Sequence, residues 1–426
     1  MLFRNIVDFF KRLFGVKPRE TDAEQAENAA FAERYEDISD INITAWVANR
    51  IANMVASDSE INVAGENTRA ELLNDAVQSC VSKLKNIVTR VLAVGGVVLK
   101  PYIYGGRLFT DVLPQNRFIN VEQVGDIITA AGFVAEAFEK DNRTYVRYEY
   151  HKLAGTTYTI EQKATMNDQE VALTSVPEWA AIEPVINISG VEQMLFGIIR
   201  CPVDGRKQMT DVYGVPITFG QNKIMGDIVE LLNEFQKEFR DKGVFVGISD
   251  LLFGGDGKLP VDGIYKKFKT DNDDFFEVFS PDIRVRAYID GINYLLELLE
   301  KGIGVNKGVL TNLETADATA TAIKRSTFDT WTLVDDTRTN VEAGIAQLVY
   351  ALNVYANAAE LSPQGEYEIE YDWDYSLLED TTERFNQLQT GVASGYVHDW
   401  EARAWVMSET PEQAKENMPK MEALLQ

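Results

Sequence analysis

Apolar residues fall at three- and four-residue steps through both ends of this 426-residue chain, and in the middle the steps shorten to alternation. The first spacing predicts amphipathic helices and the second half-buried strands. Ile43, Trp46, Val47, Ile51, Met54 and Val55 predict a helix over 41–56. Leu72, Leu73, Val77, Val81, Leu84, Ile87, Val88, Val91 and Leu92 predict a second over about 68–94, which Gly95-Gly96 ends. The longest uninterrupted stretch runs from Asp317 to Tyr355. It holds one glycine, Gly344, and no proline, with apolar residues at Ile323, Leu333, Val341, Ile345, Leu348, Val349 and Leu352. One helix of that length rises on the order of 60 Å at 1.5 Å per residue. It exceeds the usual globular length, so it must cross several layers of a large body or line a shared interface.

Strand patterns begin at Val97. Val97–Tyr104 and Arg107–Leu113 flank Gly105-Gly106, and glycines at a two-residue turn supply the positive φ that a tight hairpin needs. Further strand-like runs cover 118–119, 127–137, 144–153, 156–162 and 171–173, and 201–220 is rich in loop residues. Helical spacing returns over 221–242, with Ile224, Ile228, Leu231, Leu232, Phe235 and Phe239, and stops at Gly243. A small β patch is predicted from 244–248, 264–270 and 274–279. Pro281 then opens a helix, as suits proline, carrying Ile283, Tyr288, Ile289, Ile292, Leu295, Leu296 and Leu299. The glycine-rich run 302–308 separates it from the long helix. A strand over 367–373 and two or three short helices, parted near Gly391, Gly395 and Pro411, complete the chain. No internal repeat or low-complexity tract occurs.

The first fifteen residues are amphipathic: Phe3, Ile6, Val7, Phe10, Leu13 and Phe14 share one face, with Arg4, Asp8, Lys11 and Arg12 largely away from it. The charges rule out a signal peptide. Docking on the protein's own body or on a neighbouring subunit is expected, and a membrane-surface role is the alternative. Residues 16–40 are polar and acidic. No run of eighteen apolar residues predicts a membrane span.

Charge narrows the picture further. Lys and Arg number 41 against 66 Asp and Glu, a net of −25. That opposes a free surface built to grip nucleic acid. It does not exclude DNA that passes through without being held, since a pore should not bind it tightly and each phosphate neutralised by Lys or Arg adds affinity. The two cysteines, Cys80 and Cys201, predict buried thiols rather than a disulfide framework.

Enzyme chemistry finds little support. His151 and His398 are the only histidines, which disfavours a His-rich metal site or a histidine base. Phosphate-loop, zinc-protease and nucleophile-elbow motifs are absent. Gly302-x-Gly304 follows a helix, so it is no dinucleotide fingerprint. Asp271-Asn272-Asp273-Asp274 lacks the glycine and the final glutamate of a calcium loop. Glu366, Glu368 and Glu370 alternate as a wet strand face. No catalytic residue, metal or cofactor is predicted.

The order helix, β patch, helix, glycine-rich loop, long helix implies two antiparallel helices and a loop projecting where the second meets the third. Such a shape buries little alone and makes sense in a ring of copies, with the helices as wall and the loop toward the hole. The arrangement resembles phage portal proteins of the SPP1-like family, of the kind found in tailed phages of Gram-positive hosts. Gly95-Gly96-Val97-Val98-Leu99-Lys100-Pro101-Tyr102 with Val112-Leu113-Pro114-Gln115-Asn116-Arg117-Phe118 resembles the family's wing hairpin. The helix of 221–242 entering Val244-Phe245-Val246 resembles its first stem helix. Phe275-Phe276-Glu277-Val278-Phe279 with Ile283-Arg284-Val285 resembles the return to the second. Thr319-Ala320-Thr321-Ala322-Ile323 resembles a Thr-Ala-Thr-Glu motif at the head of the long helix, with Ala322 where the family often has an acid. Leu388-Gln389-Thr390-Gly391-Val392 onward to Pro411-Glu412-Gln413-Ala414 resembles a crown, here short.

The resemblance implies an α+β portal fold assembled as a ring. Residues 1–40 would be an amphipathic helix and acidic linker, 41–217 the first part of the wing and 218–243 the first stem helix. Next come a small α/β clip at 244–280, the second stem helix at 281–301 and a tunnel loop at 302–316. The long wing helix and return strand take 317–375, and the helical crown 376–426. It further implies a non-enzymatic channel at a capsid vertex, typically of twelve subunits, that packages and ejects double-stranded DNA. The implied partners are the terminase large subunit, a head-completion or adaptor protein, and the major capsid and scaffolding proteins. No membrane is implied, and the location is the virion, or host cytoplasm during assembly. Asn306 and Lys307 would face the channel, and Lys266, Lys267 and Lys269 in the clip would face DNA or the docked motor. A plain exposed lysine and a solvated strand face are the competing readings. A non-portal virion scaffold that oligomerises through the long helix remains the alternative.

Overall fold

A computed structural model describes residues 13–14, 42–57, 59–205, 212–240, 245–249, 265–268, 276–279, 284–311, 320–373, 381–407 and 409–418. The expectations for 1–12, 15–41, the 271–274 acidic run, Lys269, Pro281 and Thr319 lie outside these residues. The fold is α+β, and the chain divides into two compact units, 1–56 with 61–370 and 57–60 with 371–426.

In the larger unit, α1 (Ile43–Ala56) buries Val47, Ala48, Ile51, Ala52 and Val55. After a short strand, β1 (Glu60–Ala64), the helix predicted over 68–94 is two helices, α2 (Thr68–Val81) and α3 (Leu84–Val94). The break is a tightened turn in which Ser82 N–H reaches the Gln78 carbonyl and Lys83 N–H the Cys80 carbonyl. The apolar stripe continues across it, which is why spacing alone hid it. Asn67 caps α2 by accepting from the Arg69 and Ala70 N–H groups.

The predicted hairpin is β2 (Gly96–Tyr104) and β3 (Arg107–Pro114), with Gly105 and Gly106 at φ +58° and +73°. A strand with weak sequence signal, β10 (Gly197–Arg200), pairs antiparallel on the other side of β2. The second sheet runs in the order β4 (Phe118–Val124), β5 (Ile127–Lys140), β6 (Arg143–Ala154), β7 (Thr157–Met166) and β8 (Gln169–Val171), and β9 (Val185–Ser189) also pairs with β7. One face joins Phe118, Phe133, Tyr158 and Ile160 to Val98, Leu113, Phe196 and Tyr213. The other carries Ile119, Val121, Ala130, Val134 and Tyr148, on which Leu13 is buried. Phe14 follows, its ring 5.5 Å from Tyr150, while Lys163 Nζ donates to the Leu13 carbonyl at 2.8 Å.

The long helix, α6 (Ala320–Ala358), is 39 residues, about 58 Å at 1.5 Å per residue. Leu333, Val341, Ile345, Leu348, Val349 and Leu352, the expected stripe, are buried. Its lone glycine has a reason. β10 crosses there so closely that a Cβ on Gly197 would lie 2.2 Å from the Gly344 carbonyl oxygen. Two arginines are buried at helix ends, where carbonyls need donors. Arg338 donates to Met54 and Val55 of α1, and Arg69 to Asn353, Ser362 and Pro363 around the end of α6.

Three further elements make the small β patch: β11 (Phe245–Ser249) runs parallel to β12 (Tyr265–Phe268) and antiparallel to β13 (Phe276–Phe279). On either side of it stand α4 (Asn222–Arg240) and α5 (Val285–Ile303). Then comes β14 (Glu368–Asp372), with Glu366, Glu368 and Glu370 exposed as the alternation predicted.

The smaller unit holds α7 (Thr381–Ala393), α8 (Asp399–Met407) and α9 (Pro411–Glu416). Gly391 lies inside α7 and the break falls at Gly395, φ +72°. Pro411 begins α9 behind a Thr410–Gln413 capping box. Lys415 Nζ sits 4.1 Å over the Trp400 ring, and Arg403 grips Glu409 with two nitrogens.

Candidate functional site

The expected antiparallel helix pair is present, and four contacts set its register. Gln221 Nε2 donates to the Gly302 carbonyl (3.2 Å), Leu231 packs on Gly291, the Phe235 and Tyr288 rings lie 5.1 Å apart, and Glu238 meets Arg284. As numbers rise on α4 they fall on α5. Arg284 binds Glu238 through its main-chain N–H (3.1 Å) and Nη2 (2.9 Å), and Tyr288 joins them. Those hydrogen bonds from Arg284 and Tyr288 pull the Glu238 carboxyl down to about 2. Tyr288 and Leu299 are buried, whereas Val285 and Ile289 are 37% and 46% exposed. At 100° per residue these two lie with Ile292 and Leu296 on one flank of α5, and α4 covers a different side.

α5 runs two residues into the expected loop, through Ile303, and closes at Gly304 (φ +76°), where the Val305 N–H reaches the Glu300 carbonyl. The chain does not swing free after that. Val305 and Thr311 are buried. Asn306 N–H donates to Thr330 Oγ1 (2.9 Å), Asn306 Oδ1 accepts from the Thr330 N–H (2.9 Å), and Asn306 Nδ2 reaches Asp329 (3.4 Å). Lys307 is exposed, and its Nζ pairs with Glu297 at 2.6 Å. Arg50 of α1 donates to the Val309 carbonyl.

Beneath the loop is a side chain that sequence reasoning passed over. Glu300, 1% exposed, accepts through Oε1 from the N–H groups of Gly308 (3.0 Å), Leu310 (2.6 Å) and Thr311 (3.0 Å), and Thr311 Oγ1 donates to both carboxylate oxygens. In sequence it reads as one more charge on an amphipathic helix. Lys266 and Lys267 fall on β12, in register with Gly247 and Ile248 of β11.

A second buried polar cluster links the two larger sheets. Lys100 of β2 meets Glu149 of β6 at 2.5 Å. Arg147 contacts the other Glu149 oxygen, and His151 lies 3.2 Å from Glu149 and 2.8 Å from Tyr158. Burial pushes the Glu149 carboxyl up, but Lys100, His151 and Arg147 outweigh it and hold the group well below its usual range. Burial dominates at His151 and lowers it, against the opposing pull of Glu149. Both cysteines are buried free thiols, with Cys201 pushed up to about 12 by burial. Elsewhere a polar cavity of about 260 Å³ opens beside Arg200, Asp336 and Asn340. Among the described residues no helix is long and apolar enough to cross a membrane.

No curated protein matches the chain. Among solved structures, a chain from the neck of a native GTA particle, computed with C12 symmetry, superimposes with a TM-score of 0.39 at 12% identity, covering 92% of this chain and 94% of that one. Residues 250–423 match the family model of the phage portal protein, SPP1 Gp6-like. The matched part takes in α5, the loop with Asn306 and Lys307, the long helix and the short helices after it. Over residues 250–423, the resemblance read from the residues is therefore borne out: the chain is similar to the phage portal protein family, SPP1 Gp6-like.

Proposed function

We propose that this protein is the subunit of a portal ring, a non-enzymatic channel through which double-stranded DNA enters and leaves a capsid. The family match over 250–423 carries the reading. The open flank of α5 supports it: Val285, Ile289, Ile292 and Leu296 form an apolar stripe beside the α4 contact, suited to a neighbouring copy of the same helix pair. Charge supports it too. Twelve copies at −25 would carry −300, a wall that repels phosphate, with a few lysines to keep the duplex centred.

In this reading Asn306 and Lys307 belong to the channel-facing loop, and Lys266, Lys267 and Lys269 to the clip that meets the packaging motor, then the head-completion protein. The wing is 41–217 with 317–375, the stem 218–243 and 281–301, the clip 244–280, and the crown 376–426. The assembled protein sits in the virion, and the subunit in the host cytoplasm beforehand. Native mass and negative-stain images of the purified protein test the ring. A closed ring of about twelve with a central hole is expected. A stable monomer or dimer at all concentrations, with capsid partners present, would leave a different scaffold protein as the better reading. Lys307→Glu should leave rings intact and impair packaging; normal DNA-filled heads would remove it from the channel.

A further inference from the structure

We infer that Glu300 is the positioning residue of a three-helix joint, which holds residues 304–311 as a fixed part of the molecule and sets where Lys307 stands. The expectation for a glycine-rich loop is free movement. Here each tie runs to a different helix. Glu300 of α5 gathers three main-chain N–H groups and the Thr311 hydroxyl from below. Asn306 engages Asp329 and Thr330 of α6, and at Thr330 it takes the main-chain N–H itself. Arg50 of α1 holds the Val309 carbonyl at 3.2 Å.

The placement of the charge argues that it serves the loop. Glu300 stands in the last turn of α5, where the helix macrodipole disfavours an anion. It is 1% exposed, and burying a carboxylate without compensating hydrogen bonds is costly. Nothing in α5 gains from a glutamate here; leucine would fill the same space. Among the described residues the compensation comes from the loop, as charge-assisted hydrogen bonds from the half-buried Gly308 and Leu310 N–H groups and the buried Thr311 N–H and hydroxyl. Deleting the carboxylate therefore leaves three donors without it as acceptor, the Leu310 and Thr311 N–H groups and the Thr311 hydroxyl, while the Gly308 N–H keeps Thr311 Oγ1 at 3.1 Å. Lys307 lies between the amides that Glu300 holds and the Asn306 tie, so its backbone cannot shift far while both stand.

A joint tied to α1, α5 and α6 also moves with them. A force on Lys307 would be passed to the helices instead of being absorbed by the loop. The consequence for DNA rests on the portal reading; the joint itself does not.

The test is hydrogen–deuterium exchange on the full-length protein, read on peptides covering 304–311, with packaging assayed on the same variants. Glu300→Ala should speed exchange of those peptides by about tenfold or more, as loss of a charge-assisted set predicts, while peptides from β5 and β6 stay unchanged. Glu300→Gln keeps the Oε1 acceptor and should restore most of the protection. Asn306→Ala and Thr311→Val remove one tie each and should give smaller rises, so they serve if Glu300→Ala does not fold. Unchanged exchange at 304–311 in Glu300→Ala, or in both milder variants, would overturn the joint. Faster exchange with undiminished packaging would keep the joint and overturn its role toward DNA.

Discussion

The sheet region around Glu149 and the helix pair α4/α5 solve burial in opposite ways. The two sheets close on themselves: Phe118, Phe133, Tyr158 and Ile160 are buried on one face, and Ile119, Ala130 and Tyr148 on the other. Even the charges inside have partners, Glu149 pairing with Lys100 and Arg147 beside the His151 ring. The helix pair fills its seam with Phe235, Tyr288 and Leu231 but leaves Val285 and Ile289 part-exposed. The sheet region satisfies its apolar faces and buried charges within the chain. In the proposed ring, a neighbouring copy would complete the helix pair on that flank. Stability should therefore respond to substitutions in the first region and association to substitutions in the second.

The strongest way to break that division is Lys100→Ala. Removing one member of a buried pair typically costs about 3–5 kcal/mol, because the remaining charge stays buried. A large fall in the unfolding midpoint is expected. An unchanged midpoint would mean that the Glu149 cluster does not hold the sheets together. Gly197→Ala comes next. Its Cβ would meet the Gly344 carbonyl oxygen at 2.2 Å, a backbone atom with no rotamer to change, so about 1–3 kcal/mol of destabilisation is expected. Chemical denaturation measures it, and a neutral result would mean that β10 and α6 can separate at little cost.

These two sites also show what the sequence does and does not disclose. The stripes of α5 and α6 were legible because each helix faces one packed side, and spacing alone reports that: Tyr288, Leu299, Ile345 and Leu352 were all placed correctly. The β2–β3 turn was legible because Gly105-Gly106 encodes it locally. Gly344 stood out, but its reason lies 147 positions away at Gly197. Lys100, Glu149, Arg69, Arg338 and Glu300 were not legible as buried groups. Charged residues are usually surface residues, and only their tertiary partners make them otherwise. The break at Ser82–Lys83 carries no proline or glycine, and β9 and β10 are too short for a period to show. Of the candidate site, Asn306 and Lys307 came from their place after a helix in a glycine-rich run. The carboxylate that holds that run in place did not.

On the helix pair the division predicts that Ile289→Asp leaves the unfolding midpoint within about 0.5 kcal/mol of the parent, as an exposed substitution should. The same change should sharply lower the population of assembled protein in native mass measurements, since it puts a charge on the open flank. Rings that form as before would remove that flank from the interface and weaken the contrast drawn between the two regions.

The smallest expected effect lies at the far end of the same pair, and pH sharpens it. The hydrogen bonds from Arg284 and Tyr288 hold the folded Glu238 carboxyl down near 2, against an ordinary value of 4.5. A depressed carboxyl contributes stability that is fully present above its unfolded value and is lost as pH falls through the folded one. The window is therefore from about 4.5 down to about 2. The pair stands at the surface, where ion pairs contribute little, and many other carboxylates titrate over the same range. The readout is thus a difference: the gap in unfolding midpoint between the parent and Glu238→Gln, followed from pH 6 to pH 3. That gap should be positive at pH 6 and shrink below 4.5, because protonation gives the parent the neutral side chain that glutamine imitates. A gap that stays constant to pH 3 would mean that this end of α4/α5 is fixed by Phe235 and Tyr288 packing, with the Arg284 grip adding nothing.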